Sequence, residues 1–269
     1  MLLASWNLNS LNVRLPHLLD WLSTRRPDVV CLQETKLEDN RFPRGALLEA
    51  GYASHYAGQK TYNGVAILTR QSSIERVEEV ASENPWYEDA QKRLLSLTAH
   101  PAQGAPIRVV CAYVPNGQAV DSEKYDYKLR WLQGLNRWLQ DKLNVCPHPR
   151  LVLAGDFNVA PADEDVHDPA AWKGKILCSE AERDAWQALL GLGLEDSFRL
   201  FEQAEKSFSW WDYRTRGFQR NLGLRIDHIL LSGELARRCT GASIDREPRG
   251  WERPSDHAPT LAEIDAAAA

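Results

Sequence analysis

Short apolar runs, each closed by polar residues, recur along this chain and set its expected architecture. The clearest is Leu151-Val152-Leu153-Ala154-Gly155-Asp156-Phe157-Asn158. Four apolar residues in a row read as a buried strand, and Gly155 lets the backbone pass a crowded point. If the extended path continues, Asp156 and Asn158 share a face while Phe157 points into the packing. Residues 2–8 have the same form and end in Asn7 and Asn9, with an amphipathic helix over residues 14–21 after them. Residues 29–32 form a second buried strand that runs into Gln33, Glu34, Thr35 and Lys36. Strand, helix, strand at this length predicts a parallel pair with a right-handed crossover.

Residues 52–58, 64–70, 73–80, 93–100 and 107–114 read as successive short strands separated by turn signals such as Tyr62-Asn63-Gly64. That order predicts an antiparallel meander. Leu129, Leu132, Leu135, Leu139 and Leu143 mark a long helix over residues 122–143. A polar loop over 162–175, a helix over 180–190 and a strand over 224–231 follow. The last polar cluster, Arg253-Pro254-Ser255-Asp256-His257-Ala258-Pro259, leads into a final strand ending at Ile264. No repeat or linker divides the chain, so residues 1–269 are expected to form one domain. The economical α/β architecture is a four-layer sandwich, two packed mixed β-sheets flanked by helices.

Composition narrows the class. A 43% hydrophobic content supports a sizeable core in a chain of 269 residues, and 26% charged residues is ordinary for a soluble protein. The first residues lack the form of a signal peptide, and no window approaches the roughly 20 apolar residues of a membrane helix. Five cysteines without a CxxC pair suggest reduced thiols in the cytoplasm rather than a thiolate metal site. A net charge of −5 argues mildly against a non-specific nucleic-acid binder. One local patch opposes that: Lys206, Arg214, Arg216, Arg220 and Arg225 face the single acid Asp212, with aromatic residues between them.

Glu34, Asp156, Asp227 and Asp256 terminate or interrupt apolar strands, with Asn7, Asn158 and His257 beside them in the sequence pattern. Each acid alone reads more readily as a turn or cap residue, and the lone His as structural. Together they are oxygen ligands of the kind that suits Mg²⁺ or Mn²⁺, which phosphoryl chemistry needs to neutralise developing charge. Asp227 and His257 have the makings of a carboxylate–imidazole pair.

The blocks Ser5-Trp6-Asn7-Leu8-Asn9-Ser10, Leu32-Gln33-Glu34-Thr35-Lys36, Asn63-Gly64-Val65-Ala66-Ile67, Tyr113-Val114-Pro115-Asn116-Gly117, Gly155-Asp156-Phe157-Asn158, Ser209-Trp210-Trp211-Asp212-Tyr213, Leu224-Arg225-Ile226-Asp227-His228 and Pro254-Ser255-Asp256-His257-Ala258 occur in this order. In them the chain resembles the exonuclease III family of DNA-repair nucleases, of the endonuclease/exonuclease/phosphatase fold, over nearly its whole length. The resemblance implies that Glu34 is the principal metal ligand, with Asn7 near it and Asp256 beside the metal. It makes Asp156 the general base for the attacking water or the proton donor to the leaving oxygen, with Asn158 orienting that group or the phosphate. Tyr113 and Asn116 contact the scissile phosphate. His257, held by Asp227, polarises a phosphate oxygen or activates water.

The implied substrate is double-stranded DNA with 3′ ends, nicks or abasic sites, cut by in-line attack of water on phosphorus. Trp210, Leu224 and Ile226 would wall a pocket for an abasic sugar, and Trp211 would be structural. Arg214, Arg216 and Arg220 would track the backbone. Lys124, Tyr125 and Lys128 read equally as a solvated helix face or as phosphate contacts. The loop over 163–169 follows the central strand closely enough to border the site, so the bulk of His167 is expected to weight exonuclease against abasic-site cleavage. A monomer with no organic cofactor is expected. The rivals are a phosphoesterase of the same fold acting on inositol phosphates or lipid headgroups, and a non-catalytic nucleic-acid-binding relative.

Overall fold

A computed structural model describes residues 1–145 and 150–265. From the N-terminus, β1 (Leu2–Asn7) precedes α1 (Leu11–Arg25), β2 (Val29–Gln33), α2 (Arg44–Glu49), β3 (Tyr52–Ala57) and β4 (Val65–Arg70). Next come β5 (Ile74–Ala81), β6 (Leu94–Pro101), β7 (Ile107–Tyr113), the long α3 (Glu123–Val145) and β8 (Leu151–Asp156). The remainder is α4 (Pro169–Trp172), α5 (Glu180–Leu190), β9 (Leu194–Asp196), β10 (Asp227–Ser232), α6 (Gly233–Ala236), β11 (Cys239–Ile244) and β12 (Thr260–Ile264).

The strands form two six-stranded mixed sheets, ordered β11-β12-β1-β2-β4-β3 and β5-β6-β7-β8-β10-β9. Alternation along each strand decides what lies between them. Leu3, Val29, Cys31, Val109, Cys111, Val152, Ala154, Ile229 and Leu231 meet in the layer between the sheets. Their neighbours turn outward: Ala4, Trp6, Val30 and Leu32 pack under Leu18, Trp21 and Leu22 of α1. On the other side Val110, Leu151 and Leu153 pack under Trp131, Leu135 and Trp138 of α3 and Trp186 and Leu189 of α5. This is the expected four-layer α/β sandwich.

β1 and β2 are parallel, as strand–helix–strand spacing implies. The meander is not continuous. β3 and β4 pair antiparallel, as do β5, β6 and β7, but the chain changes sheets after Arg70. Both edges of β4 are already taken, by β2 and β3, so β5 has no place beside it and opens the second sheet. The strand expected over 224–231 begins only at Asp227. Leu224 instead bridges Trp210 and Val166, pulling its segment away from the sheet.

Gly155 sits opposite Ala112 in the parallel β7–β8 pair, and a Cβ there would lie 1.8 Å from the Ala112 carbonyl oxygen. No side chain can relieve a clash between two main chains in the centre of a sheet. Gly155→Ala is therefore expected to cost about 3 kcal/mol or more, read as a lower urea midpoint at unchanged slope. A loss of less than about 1 kcal/mol would show that β8 shifts freely against β7.

Candidate active site

The register that fills the inter-sheet layer also builds a polar row at its end. Tyr113 pairs with Asp156, and Asp156 pairs with Asp227 on the next strand. Each continues the inward-facing parity of its strand, after Cys111, Ala154 and before Ile229. From the other sheet Asn7 arrives on the same parity as Leu3 and Ser5. Glu34, just past β2, reaches the row through a left-handed backbone (φ 51°), and Asn9 and Asn158 are left-handed as well. Such conformations cost of order 1 kcal/mol or more in non-glycine residues and persist only where the surroundings impose them.

The Asn7 amide donates to Glu34 Oε1 at 2.9 Å and to Asp156 Oδ2 at 2.8 Å. Asp156 Oδ1 accepts from the Asn158 backbone N–H at 2.9 Å. The Asn158 side chain donates to Val114 O and accepts from Asn116 Nδ2, both at 3.0 Å. His257 Nδ1–H donates to the Asp227 carboxylate, 2.9 Å from Oδ2, which also accepts from Ser209 Oγ at 2.6 Å. That fixes the tautomer and leaves Nε2 facing Asp156, 3.8 Å from Oδ2.

Burial raises the Asp156 carboxyl well above the usual carboxylate range, and Asp227 and Glu34 add to this against the opposing pull of His257. Burial works the other way on His257, but the Asp227 and Asp156 carboxylates outweigh it and hold the imidazole above its ordinary value. Desolvation, then the Glu34 and Asp156 charges, keeps the Tyr113 phenol protonated. The Asp156 carboxyl, the His257 imidazole and the Tyr113 phenol thus stand together, each shifted toward its protonated form.

Glu34, Asp156 and His257 each bring one ligand atom within 4.8 Å of the others. The carboxylate oxygens of this group suit a divalent cation, and Glu34 Oε2 already attracts one cation, Lys36 Nζ at 2.9 Å. Asp256 lies outside this triplet. Its two oxygens accept from Asn9 Nδ2 at 2.9 Å and Trp210 Nε1 at 3.0 Å.

These residues floor a cavity of about 530 Å³, whose other wall includes His167, Trp172, Trp210, Leu222 and Ile226. Leu224 is fully buried one layer behind that wall. Trp211 is structural, buried with its indole donating to Asn221 Oδ1 at 3.0 Å. Arg214 stands at the mouth, paired with Asp212 at 2.5 Å, and Arg216 and Arg220 are exposed beyond it. A second groove leaves the site past Asn116, Lys124, Tyr62 and Arg93. Two cations depart from expectation. Arg225 is buried between Asp165 and Asp196, not part of the surface patch, and Lys128 is fully buried against Glu182, neither solvated nor open to phosphate. Sequence reading missed Arg93, whose guanidinium lies 4.7 Å from the centre of the Tyr113 ring, and Trp172. Neither sits in a motif that could signal it.

The Endonuclease/Exonuclease/phosphatase family model matches residues 4–257. Exodeoxyribonuclease III of Haemophilus influenzae is 39% identical over 276 residues, 98% of this chain and 100% of the relative. The chain belongs to the exonuclease III branch of this family. It is thus a hydrolytic nuclease of DNA repair. A 3′ phosphatase from Neisseria, solved with a product DNA hairpin, is 44% identical at a TM-score of 0.91, covering 98% of this chain and 99% of that one. An AP endonuclease from Archaeoglobus fulgidus is 37% identical at 0.89, with the same coverage.

Behind the site of this nuclease lies a buried network that ties the His167 loop to β10. Arg225 donates to Asp165 Oδ1 at 2.6 Å, to Asp196 Oδ2 at 2.7 Å and to His228 Nδ1 at 3.0 Å. Arg199 also pairs with Asp165. His228 Nε2–H donates to Val159 O at 3.0 Å, so only the neutral ring satisfies both contacts. Burial first, and the Arg225 charge second, hold His228 well below the ordinary imidazole range. Below about pH 6.5 the unfolded chain takes up a proton that the folded chain refuses, so stability falls as pH drops. His228→Gln keeps a donor and an acceptor but cannot titrate. Its unfolding free energy is expected to fall less steeply between pH 6.5 and 5, by up to about 1.4 kcal/mol per pH unit, and to show no such difference above pH 7.5. Identical slopes in denaturant titrations across that range would show that His228 titrates normally.

Proposed function

We propose that this protein is a Mg²⁺- or Mn²⁺-dependent phosphodiesterase that acts on duplex DNA at 3′ ends, nicks and abasic sites. It combines 3′→5′ exonuclease, abasic-site endonuclease and 3′-phosphatase activity and leaves a 3′-hydroxyl. The observation that carries this is the convergence of Glu34, Asp156 and His257, from three separate segments, at the floor of one cavity. Glu34, with Asn7 steering its carboxylate and Asp256 nearby, would hold the cation, which supplies charge neutralisation at phosphorus when bound.

The chain's own groups divide the remaining work. Asp156 exchanges a proton with the attacking water or with the leaving oxygen, and its raised range brings that exchange toward neutral pH. Protonated His257, braced by Asp227, offers Nε2–H to a phosphate oxygen, and the Tyr113 phenol and the Asn116 and Asn158 amides offer further donors. Trp210, with Ile226 and Leu222, gives a sugar without a base an apolar seat, and extruding such a nucleotide costs little unstacking. Arg214 and Lys124 border the two exits, and with the exposed Arg216 and Arg220 they supply phosphate contacts for the strand. The Neisseria relative's 3′-phosphatase and the Archaeoglobus relative's AP endonuclease bracket the activities proposed. A cytoplasmic location is in keeping with the four free cysteines among the described residues, and the proposed form is a monomer.

Two end-labelled duplexes, one intact and one with an internal abasic analogue, test this. Cleavage is expected in Mg²⁺, none in EDTA, and a loss of about 10²- to 10⁴-fold with Asp156→Asn. Persistent cleavage in EDTA, or an unaffected variant, would sink the assignment. His167 bears on the balance of activities: its Nδ1 contacts Gly223 O at 3.1 Å and its ring meets Trp172 edge to face, so its bulk narrows the pocket wall. His167→Gly is expected to raise abasic-site incision relative to exonuclease on the same duplexes. An unchanged ratio removes that role.

A further inference from the structure

The side chain of Lys128 is fully buried and lines neither the cavity nor the groove beside it. Its ammonium has three acceptors: Glu182 Oε1, Asn158 O at 2.6 Å and Asn116 O at 3.2 Å. An ammonium has three protons, so this set is complete only for the charged form. The stem lies against Gly117, where an added Cβ would come within 3.0 Å of Lys128 Cδ. The partner acid is itself immobilised. Glu182 Oε1 also accepts from Leu177 N at 3.0 Å, and Oε2 accepts from Ser179 N at 3.0 Å and Ser179 Oγ at 2.7 Å. Ser179 Oγ then meets Tyr125 OH at 2.6 Å, which returns the network to α3.

The two carbonyls belong to the loops after β7 and β8, whose Asn116 and Asn158 side chains join across the same gap and line the cavity. We propose that Lys128 is a positioning residue for phosphodiester cleavage, locking the main chains of the Asn116 and Asn158 loops so that both amides are presented together to the phosphate. This rests on the nuclease reading above. Stability alone does not account for the arrangement, because a buried ion pair seldom outperforms a well-packed neutral pair. Two of the three acceptors here are main-chain groups of the site and not the acid.

Lys128→Met alone strands the Glu182 carboxylate and threatens the fold. The test variant is therefore Lys128→Met/Glu182→Gln, which removes both charges and keeps an acceptor for Ser179. Its thermal unfolding is measured beside its single-turnover cleavage of a duplex with an abasic analogue in Mg²⁺. Expected is a midpoint close to wild type with the cleavage rate down roughly 10²-fold and KM changed by no more than about twofold. The same pair of changes is then placed in an Asn116→Ala/Asn158→Ala background. If Lys128 acts through those amides, its effect there shrinks to about threefold or less; a general structural role leaves it additive. Wild-type rates in the neutral pair, or full additivity, overturn the proposal while leaving the nuclease reading intact. Failure of the wild-type protein to cleave the duplex overturns both.

Discussion

Everything in this site depends on two carboxylates from different sheets being held side by side, and the group that holds them is the amide of Asn7. Glu34 leaves the end of β2 and Asp156 ends β8, so their approach is set by how the sheets stack. Two carboxylates meeting in a low-dielectric layer repel each other unless donors are shared between them. One NH₂ group donating to both does this without introducing a charge of its own. β1, which carries Asn7, lies between β12 and β2, and β8 lies between β7 and β10. The contact is therefore made at the centre of each sheet, where neighbours on both sides resist displacement. The same strand anchors the last loop: Ser255 Oγ donates to Asn7 O at 2.6 Å and Trp6 Nε1 donates to His257 O at 3.2 Å. His257 reaches the row because the main chain around it is fastened to β1.

The charges gathered here are poor stabilisers of the fold. Asp156 is held above the ordinary range of its kind largely by burial, which is a cost to the ionised form. The chain tolerates this because three apolar layers, between the sheets and on their outer faces, supply the driving force for folding independently of the polar end. Proteins commonly concentrate such unfavourable groups where chemistry requires them. The left-handed backbones at Glu34 and Asn158 belong to the same trade.

How much of this was legible in the sequence follows from the range of the interactions involved. Alternation is local, so the apolar runs before Asn7, Glu34, Tyr113 and Asp156 revealed both the strands and their polar ends. Gly155 was legible too, as a position where the backbone is crowded. Long-range ion pairs leave no such trace. Arg225 and Asp165 are 60 residues apart, and Lys128 and Glu182 are 54 apart. Each cation therefore looks like surface charge until the fold brings its acid to it. β11 was missed because its residues Cys239–Ile244 are half-exposed and carry no apolar run, and β9 because three residues are too few for a pattern. The switch of sheets after Arg70 depends on β4 having both edges occupied, a property of pairing and not of composition.

Those two withdrawn cations change how the nuclease meets DNA. Counted by sequence, Arg225 and Lys128 would add to the positive rim around the cavity. In the fold each is turned inward, where Arg225 secures the loop bearing His167 and Lys128 reaches the loops bearing Asn116 and Asn158. The remaining rim is sparse, Arg214 is paired with Asp212, and the chain as a whole carries a net charge of −5. Long-range attraction to a polyanion is correspondingly modest, so discrimination falls on the close contacts at the cavity. A site of this kind gains more from the exact placement of neutral donors such as Asn7, Asn116, Asn158 and Tyr113 than from additional charge, because preorganised dipoles need no rearrangement when charge develops on phosphate oxygens. Of the two basic residues turned inward, Lys128 reaches the main chain beside two of these donors, Asn116 and Asn158.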